Sequence, residues 1–378
     1  MRGRRVLVFS RDPGGTNAVL PLIEPLRTEG NKVVVYGKDA ALSIYQRLDV
    51  DCADIRDAIP LGTEDETDKF VRELSPDLIV TGTSSEDFTE RHLWKAAEKA
   101  GIASFAVLDQ WTNYRLRLIP EEEDSMNGNV KERVLITPSF FFIMDELAKR
   151  EMAALGIDRK RLVVTGQPFF DYIRRAGSKF APREIEGLRR ELAGNCGGMV
   201  FVFASQPITS IHRQNGMAED HWGYTEKTIL KSLVRCLGTL IEASEARVTL
   251  VIRLHPKDEP DTYLDVLSTC PQPVKVTFDR VTDSTLLLQA ADLVIGMFSM
   301  VLLEAAILET PFISVQIGLK KENPLILDRM GLTRSILTEE QLEKVLRAVL
   351  NGEKQRGPDL PFEFGATERI VQYLEAYR

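Results

Sequence analysis

A carboxylate stands on an apolar helix in GMFSMVLLEAAILETP, residues 296–311. Glu304 has Met300, Val301, Ile307 and Leu308 at the three- and four-residue spacings that share a helix face. An ionised carboxylate without a partner in a dry interior costs several kcal/mol. Either an internal arginine or backbone amide answers Glu304, or it stands at the mouth of a cleft. In the second case the diol of a ribose would supply its missing donors. Just upstream, Phe298, Ser299 and Met300 fall at a strand-to-helix turn, where backbone amides and a hydroxyl suit a diphosphate.

Other residues with usable chemistry also follow apolar runs. In SRDPGGTNAVLPL (10–22), a strand ends, Gly14 and Gly15 turn the chain, and a helix is expected from Thr16 or Asn17. Those four residues could meet an anion or a sugar hydroxyl, and Asp12 could serve as a base or a sugar ligand. In VLDQWTNYR (107–115), Asp109 closes a buried run and is a candidate general base toward an acceptor hydroxyl. Trp111, Asn113 and Tyr114 suit a sugar face, although Trp111 could equally plug the edge of the core. In FASQPITS (203–210), Ser205, Gln206 and Thr209 offer neutral hydrogen bonds to phosphates. In RLHPKD (253–258), Pro256 keeps the chain extended at His255, which can donate to a pyrophosphate. Arg253 lies two residues back, on the same face. The other histidines, His92, His212 and His221, show no metal-ligand spacing with His255, so no metal is expected.

The elements that position these residues alternate along the whole chain. Strand-length runs are RVLVFS (5–10), KVVVYG (32–37), DLIVTG (77–82), ASFAVLD (103–109), VLITPS (134–139) and RLVVTG (161–166). Helical patterns such as RHLWKAAEKAG lie among them. A second series follows a polar, basic stretch near 176–197: MVFVFAS (199–205), TLVIRLHP (249–256), VKVTFD (274–279), DLVIGM (292–297) and PFISVQ (311–316). Continuous Val/Ile/Leu runs alternating with helices predict parallel sheets covered on both faces. The expected fold class is α/β, with two Rossmann-like domains in a GT-B-like arrangement, their parallel sheets facing across an interdomain cleft. The expected boundaries are 1–175 for an acceptor domain and 185–360 for a nucleotide-binding domain. A C-terminal helix, 361–378, would pack back on the first domain.

Bulk composition narrows the function classes. The chain has 378 residues, 28% charged and 44% hydrophobic, with a net charge of −8, which is ordinary for a globular enzyme and unlike the basic footprint of a nucleic-acid binder. Cys52, Cys196, Cys236 and Cys270 are widely spaced, which argues against a disulfide framework or zinc site and fits a reducing compartment. The basic MRGRRVLVFS reads as a first strand and not a signal peptide. A cytoplasmic protein is expected, and peripheral contact with a membrane surface is compatible with the sequence.

In this order, these residues resemble GT-B-type glycosyltransferases and the related non-hydrolysing UDP-N-acetylglucosamine 2-epimerases. The resemblance rests on ITPSFFFIMDELAKREMAALGIDRKRLVVTGQPFFD (136–171), RLHP (253–256) and DLVIGMFSMVLLEAAILETPFISV (292–315). It implies that the last segment holds the nucleotide, with Ser299 on phosphate and Glu304, seven residues before Pro311, on the ribose. The chain departs from the epimerases at TGTSS (81–85), where they carry an acid, and at Ser205-Gln206-Pro207, where they carry a histidine. Asp109 stands where they have a glutamate, and PEE occurs at 120–122. Because the missing groups are acid–base residues, the expectation ranks glycosyl transfer, without a cofactor or metal, above epimerisation. The donor would be a nucleotide sugar, and the acceptor a saccharide, lipid-linked or small molecule, as in bacterial surface polysaccharide synthesis. The alternatives are a hydrolysing or non-hydrolysing 2-epimerase and a non-catalytic nucleotide-sugar-binding protein.

Overall fold

The computed structural model describes residues 3–120, 135–194, 197–214, 216–244, 246–268, 274–353, 355 and 357–377. Val134 and the PEE acids Glu121 and Glu122 lie outside the described residues, as do Cys196 and Cys270. The chain divides into two compact units, Met1–Tyr172 with Phe362–Arg378, and Ile173–Pro361. Both are α/β with all-parallel sheets, so the chain is built from two Rossmann-like units.

The first unit holds β1 (Arg5–Ser10), β2 (Lys32–Gly37), β3 (Ala53–Asp54), β4 (Leu78–Thr81), β5 (Ala103–Val107), β6 (Phe140–Ile143) and β7 (Leu162–Val164), in the order β3-β2-β1-β4-β5-β6-β7. The register pairs Val6 with Val33 on one side and with Leu78 on the other. Val6, Val8, Val80, Phe105 and Phe142 share one core with Val19, Leu22, Ile23 and Leu26 of the helix Pro13–Thr28. Leu7, Phe9 and Ile79 face a second core with Phe70, Val71, Leu93 and Ala97. Successive strand side chains point to opposite faces, so covering both faces requires the unbroken apolar runs seen in the sequence.

One strand differs from expectation. Residues 135–139 of VLITPS are not a strand; β6 is the aromatic run Phe140–Ile143 that follows. Pro138 has no N–H for a central ladder. Phe140 and Phe142 instead stack on Phe105, with ring centroids 5.6 and 5.5 Å away. The C-terminal helix Ala366–Ala376 completes this core with Ile370, Val371 and Leu374, and Tyr373 meets Phe142 edge-on at 5.4 Å. Its N-terminus begins at Gly365, which has a φ of 90° and no side chain to cap with. Asp171 supplies the cap, accepting from Gly365 N at 2.7 Å and Thr367 N at 2.9 Å. Pro168 opens a helix, Pro168–Gly177.

The second unit holds β8 (Met199–Ala204), β9 (Val248–Arg253), β10 (Val274–Asp279), β11 (Leu293–Gly296) and β12 (Phe312–Ser314), in the order β10-β9-β8-β11-β12. The helix Glu226–Glu242 is N-capped by Thr225, whose side chain accepts from Thr228 N, and buries Ile229, Leu233, Leu237 and Leu240 against Phe201, Leu250 and Ile252. In each sheet the strand order reverses beside the first strand, at β1/β4 and at β8/β11. Open α/β sheets bind ligands at the carboxyl ends of such strands. No helix among the described residues is long and apolar enough to cross a membrane.

Candidate functional site

In the first unit the carboxyl ends of β1, β4 and β5 bring together Asp12, Gly14, Gly15, Thr83, Ser84 and Asp109. The helix begins at Pro13, three or four residues earlier than the Thr16 or Asn17 start read from the sequence. Proline suits the first helical position, and Asp12 is the extended residue before it. Thr16 therefore lies inside the first turn, buried, with its hydroxyl donating to Asp12 O at 2.8 Å. Asn17 is half-buried. The two glycines serve close approach. A Cβ on Gly14 would lie 2.0 Å from Asp109 Oδ2, and one on Gly15 would lie 3.2 Å from Thr83 N.

Asp109 is buried, and Arg117 meets its Oδ1 at 2.8 Å. The same guanidinium donates to Thr83 O at 2.9 Å and to Thr83 Oγ1 at 2.5 Å, and Thr83 Oγ1 donates to Asp109 Oδ1 at 3.2 Å. Gln167, also buried, donates to Asp109 O at 3.0 Å. With Oδ1 in an ion pair and Oδ2 against Gly14, Asp109 anchors the loop. Asp12 is half-exposed, with Arg11 Nη1 at 3.0 Å and Ser84 Oγ donating to its Oδ2 at 2.7 Å. Lys38 and Asp87 form an ion pair at 2.5 Å nearby in the chain's fold.

The aromatic and amide expectations after β5 need correction. Trp111 is 2% exposed, stacks on Phe170 at 6.2 Å, and donates Nε1–H to Asp145 Oδ2 at 2.7 Å. Its ring is a core plug and offers no sugar-stacking face. Tyr114 donates its hydroxyl to Glu151 at 2.8 Å. Asn113 is exposed, with a φ of 58°, and shapes the turn.

Glu90 is the residue that pattern reading passes over. It lies in the first turn of the helix Thr89–Ala100, is 2% exposed, and neither carboxyl oxygen has a hydrogen-bond partner among the described residues. Burial, reinforced by repulsion from Asp87 and Asp12, pushes its carboxyl up to about 8. An acid in a helix first turn reads as an ordinary dipole-compensating residue, so the sequence carries no warning of its burial.

In the second unit the ends of β8, β9 and β11 gather Ser205, Gln206, Arg253, His255, Phe298, Ser299 and Glu304. Two expected phosphate groups are already engaged. Ser205 is buried and donates to Asp258 Oδ2 at 2.6 Å, and the amide of Phe298 donates to Gln206 Oε1 at 2.9 Å. Thr209 is likewise tied to Glu226, at 2.8 Å from its hydroxyl. Arg253 pairs with Asp279. Ser299 is the N-cap of the helix Met300–Ile307, accepting from Val301 N at 3.2 Å, and its hydroxyl has no acceptor among the described residues. His255 is half-buried; its Nδ1 accepts from Lys257 N at 3.1 Å, and burial lowers its pKa.

The helix carrying Glu304 buries Leu302, Leu303, Ala305 and Ala306. Met300, Val301, Glu304, Ile307 and Leu308 form its half-exposed side, so the apolar neighbours that mark Glu304 as odd are themselves at an edge. Among the described residues Glu304 has no ion pair; its one hydrogen bond is from Ser284 Oγ at 3.3 Å to Oε2. Burial pushes its carboxyl up to about 7, against weaker opposing effects of Ser284 and Arg253. The described residues contain no group of three or more His, Cys, Asp or Glu arranged to hold a metal.

No family model matches this sequence, and no curated protein matches it. Solved structures do. The UDP-GlcNAc 2-epimerase of Methanocaldococcus jannaschii aligns with a TM-score of 0.69 at 18% identity, over 99% of this chain and 100% of that one. The Neisseria meningitidis UDP-GlcNAc 2-epimerase, solved bound to UDP-GlcNAc, aligns with a TM-score of 0.67 at 15% identity, over 99% and 100%. MurG of Acinetobacter baumannii aligns with a TM-score of 0.53 at 12% identity, over 99% and 100%. At these identities the likeness establishes the fold: the GT-B-like class that the resemblance implies.

Proposed function

We propose that the protein is an enzyme acting on a nucleotide-activated sugar, with the nucleotide held by the second unit. The observation that carries this reading is Glu304. It is a half-buried carboxylate without an ionic partner among the described residues, one and a half turns after the Ser299 cap. A ribose diol supplies the two donors that such a group lacks. Breaking the anomeric C–O bond leaves an electron pair on the diphosphate, so donors at the Ser299 cap and His255 would stabilise the leaving group. In the first unit Asp12 is the better candidate proton acceptor, and Asp109 the anchor that fixes its surroundings.

Two reactions share this first step. The 2-epimerase reading, hydrolysing or non-hydrolysing, is favoured by fold likeness to UDP-GlcNAc 2-epimerases along the full chain. Glycosyl transfer is the second reading. It is favoured by TGTSS (81–85) and Ser205-Gln206-Pro207, which stand where epimerase chemistry would want an acid and a histidine. Proton NMR of UDP-GlcNAc incubated with the protein alone separates them. A new 2-epimer or free sugar plus UDP supports the first reading. An unchanged spectrum that responds only when saccharide acceptors are added supports the second. No binding of UDP, CMP, CDP, GDP or ADP in a thermal-shift series would remove both.

A further inference from the structure

The end of β9 is built around a buried acid that the proposed chemistry does not use. Asp258 is 4% exposed, and among the described residues no lysine, arginine or histidine pairs with its carboxylate. Its Oδ2 accepts from two hydroxyls, Ser205 at 2.6 Å and Tyr263 at 2.9 Å. Ser205 Oγ in turn accepts the amide of His255 at 2.8 Å. The backbone closes the same unit: Asp258 N donates to His255 O at 2.8 Å, with Pro256 at the second position of the turn. Arg280 donates to the Asp258 carbonyl and lies 3.5 Å from Glu259. The turn is therefore held at both ends, by one side chain through Ser205 and by one backbone bond.

This turn decides the state of the imidazole. It aims the Lys257 amide at His255 Nδ1, 3.1 Å away. A nitrogen that accepts from an N–H carries no proton, so the neutral ring keeps its hydrogen on Nε2. Among the described residues, the charged groups that act on it are Asp258, buried, and Lys257, exposed. Burial is the main cause that disfavours the imidazolium; Asp258 opposes it, and Lys257 adds a smaller push in the same direction as burial.

We propose that Asp258, itself steadied by Tyr263, is a positioning residue that through Ser205 holds His255 as a neutral Nε2–H donor for the diphosphate of the ligand. It rests on the nucleotide-sugar reading only for the identity of that anion. Ser205, on this account, sits one step behind the ligand, and its hydroxyl is spent on Asp258.

The test reads the ring directly in the unliganded protein. Long-range proton–nitrogen correlation NMR on histidine-labelled protein should show His255 as a single Nε2–H tautomer that stays neutral below about pH 6.5. In Asp258→Leu and in Ser205→Ala the tautomers should mix, because the turn no longer fixes the Lys257 amide on Nδ1. UDP should then bind roughly fivefold to tenfold more weakly, the loss of about one hydrogen bond. Asp258→Asn should restore both readouts, because an amide oxygen can accept from the same two hydroxyls. Ser205→Ala keeps the proposal testable if Asp258→Leu does not fold. An unchanged tautomer in Ser205→Ala would overturn the positioning role. If the ring responds as expected but wild-type protein binds no UDP, the role stands and the nucleotide assignment falls.

Discussion

Asp109 Oδ2 occupies the space a side chain on residue 14 would need: a Cβ on Gly14 would lie 2.0 Å from it. Asp109 cannot simply swing aside, because its other oxygen is held by Arg117 at 2.8 Å. Gly14→Ala should therefore push the carboxylate off Arg117 or displace the start of the helix Pro13–Thr28. The expected cost is about 1–3 kcal/mol, the usual range for overpacking. Thermal denaturation reads it, and an unchanged Tm would mean that the first turn shifts freely.

The ion pair itself predicts a separation of stability from turnover. Asp109→Asn leaves a buried guanidinium uncompensated and should destabilise by about 3–5 kcal/mol. Replacing both partners, Asp109→Leu with Arg117→Met, should recover most of that loss, because an apolar pair removes the unpaired charge. If Asp109 is only an anchor, the well-folded double variant keeps measurable turnover. Complete loss of turnover in a stable double variant would return Asp109 to the reacting groups.

Glu304 predicts a pH dependence of nucleotide binding. Its carboxyl is pushed up to about 7, and the ionised form is the better acceptor for a diol. UDP affinity should fall as pH drops through about 7, and Glu304→Gln should bind weakly with a flat profile in that range. Isothermal titration at several pH values checks this. Parallel profiles for wild type and variant would remove Glu304 from the nucleotide site.

Glu90 predicts a pH dependence of folding. Its folded pKa, about 8, lies above the ordinary 4.5, so the folded state holds the proton more tightly. That contribution is complete below about 4.5, declines as pH rises, and is gone once pH has passed about 8. Glu90→Gln cannot ionise. It should match wild type near pH 4.5 and exceed it above pH 8, by up to about 5 kcal/mol. Chemical denaturation at both pH values reads the difference; equal stabilities at high pH would show that Glu90 acquires a partner in solution.

Much of the fold was legible in the sequence because it depends on local periodicity. Lys32–Gly37 and Val274–Asp279 form strands over the full runs read from the sequence, since β-branched stretches bounded by turns have few other stable forms. Pattern failed at 135–139, where an apolar run containing Pro138 looked more strand-like than the aromatic Phe140–Ile143. The candidate site was legible at the level of location. Asp12, Asp109, Ser205, His255, Ser299 and Glu304 lie at strand ends or in the helix that begins there, as alternating βα units require.

The sequence by itself determined the βα alternation, the parallel sheets and the strand ends where polar residues collect, because side-chain spacing alone dictates which faces are apolar. Only the tertiary structure decided which polar groups are spent and which are left over. Ser205 finds Asp258, Gln206 finds the amide of Phe298, and Asp109 finds Arg117, whereas Glu90 and Glu304 find no ionic partner among the described residues. The physical reason is that hydrogen bonds and ion pairs act over about 3 Å. Which groups come that close is set by how strands and loops distant in sequence are packed, and no local pattern records it.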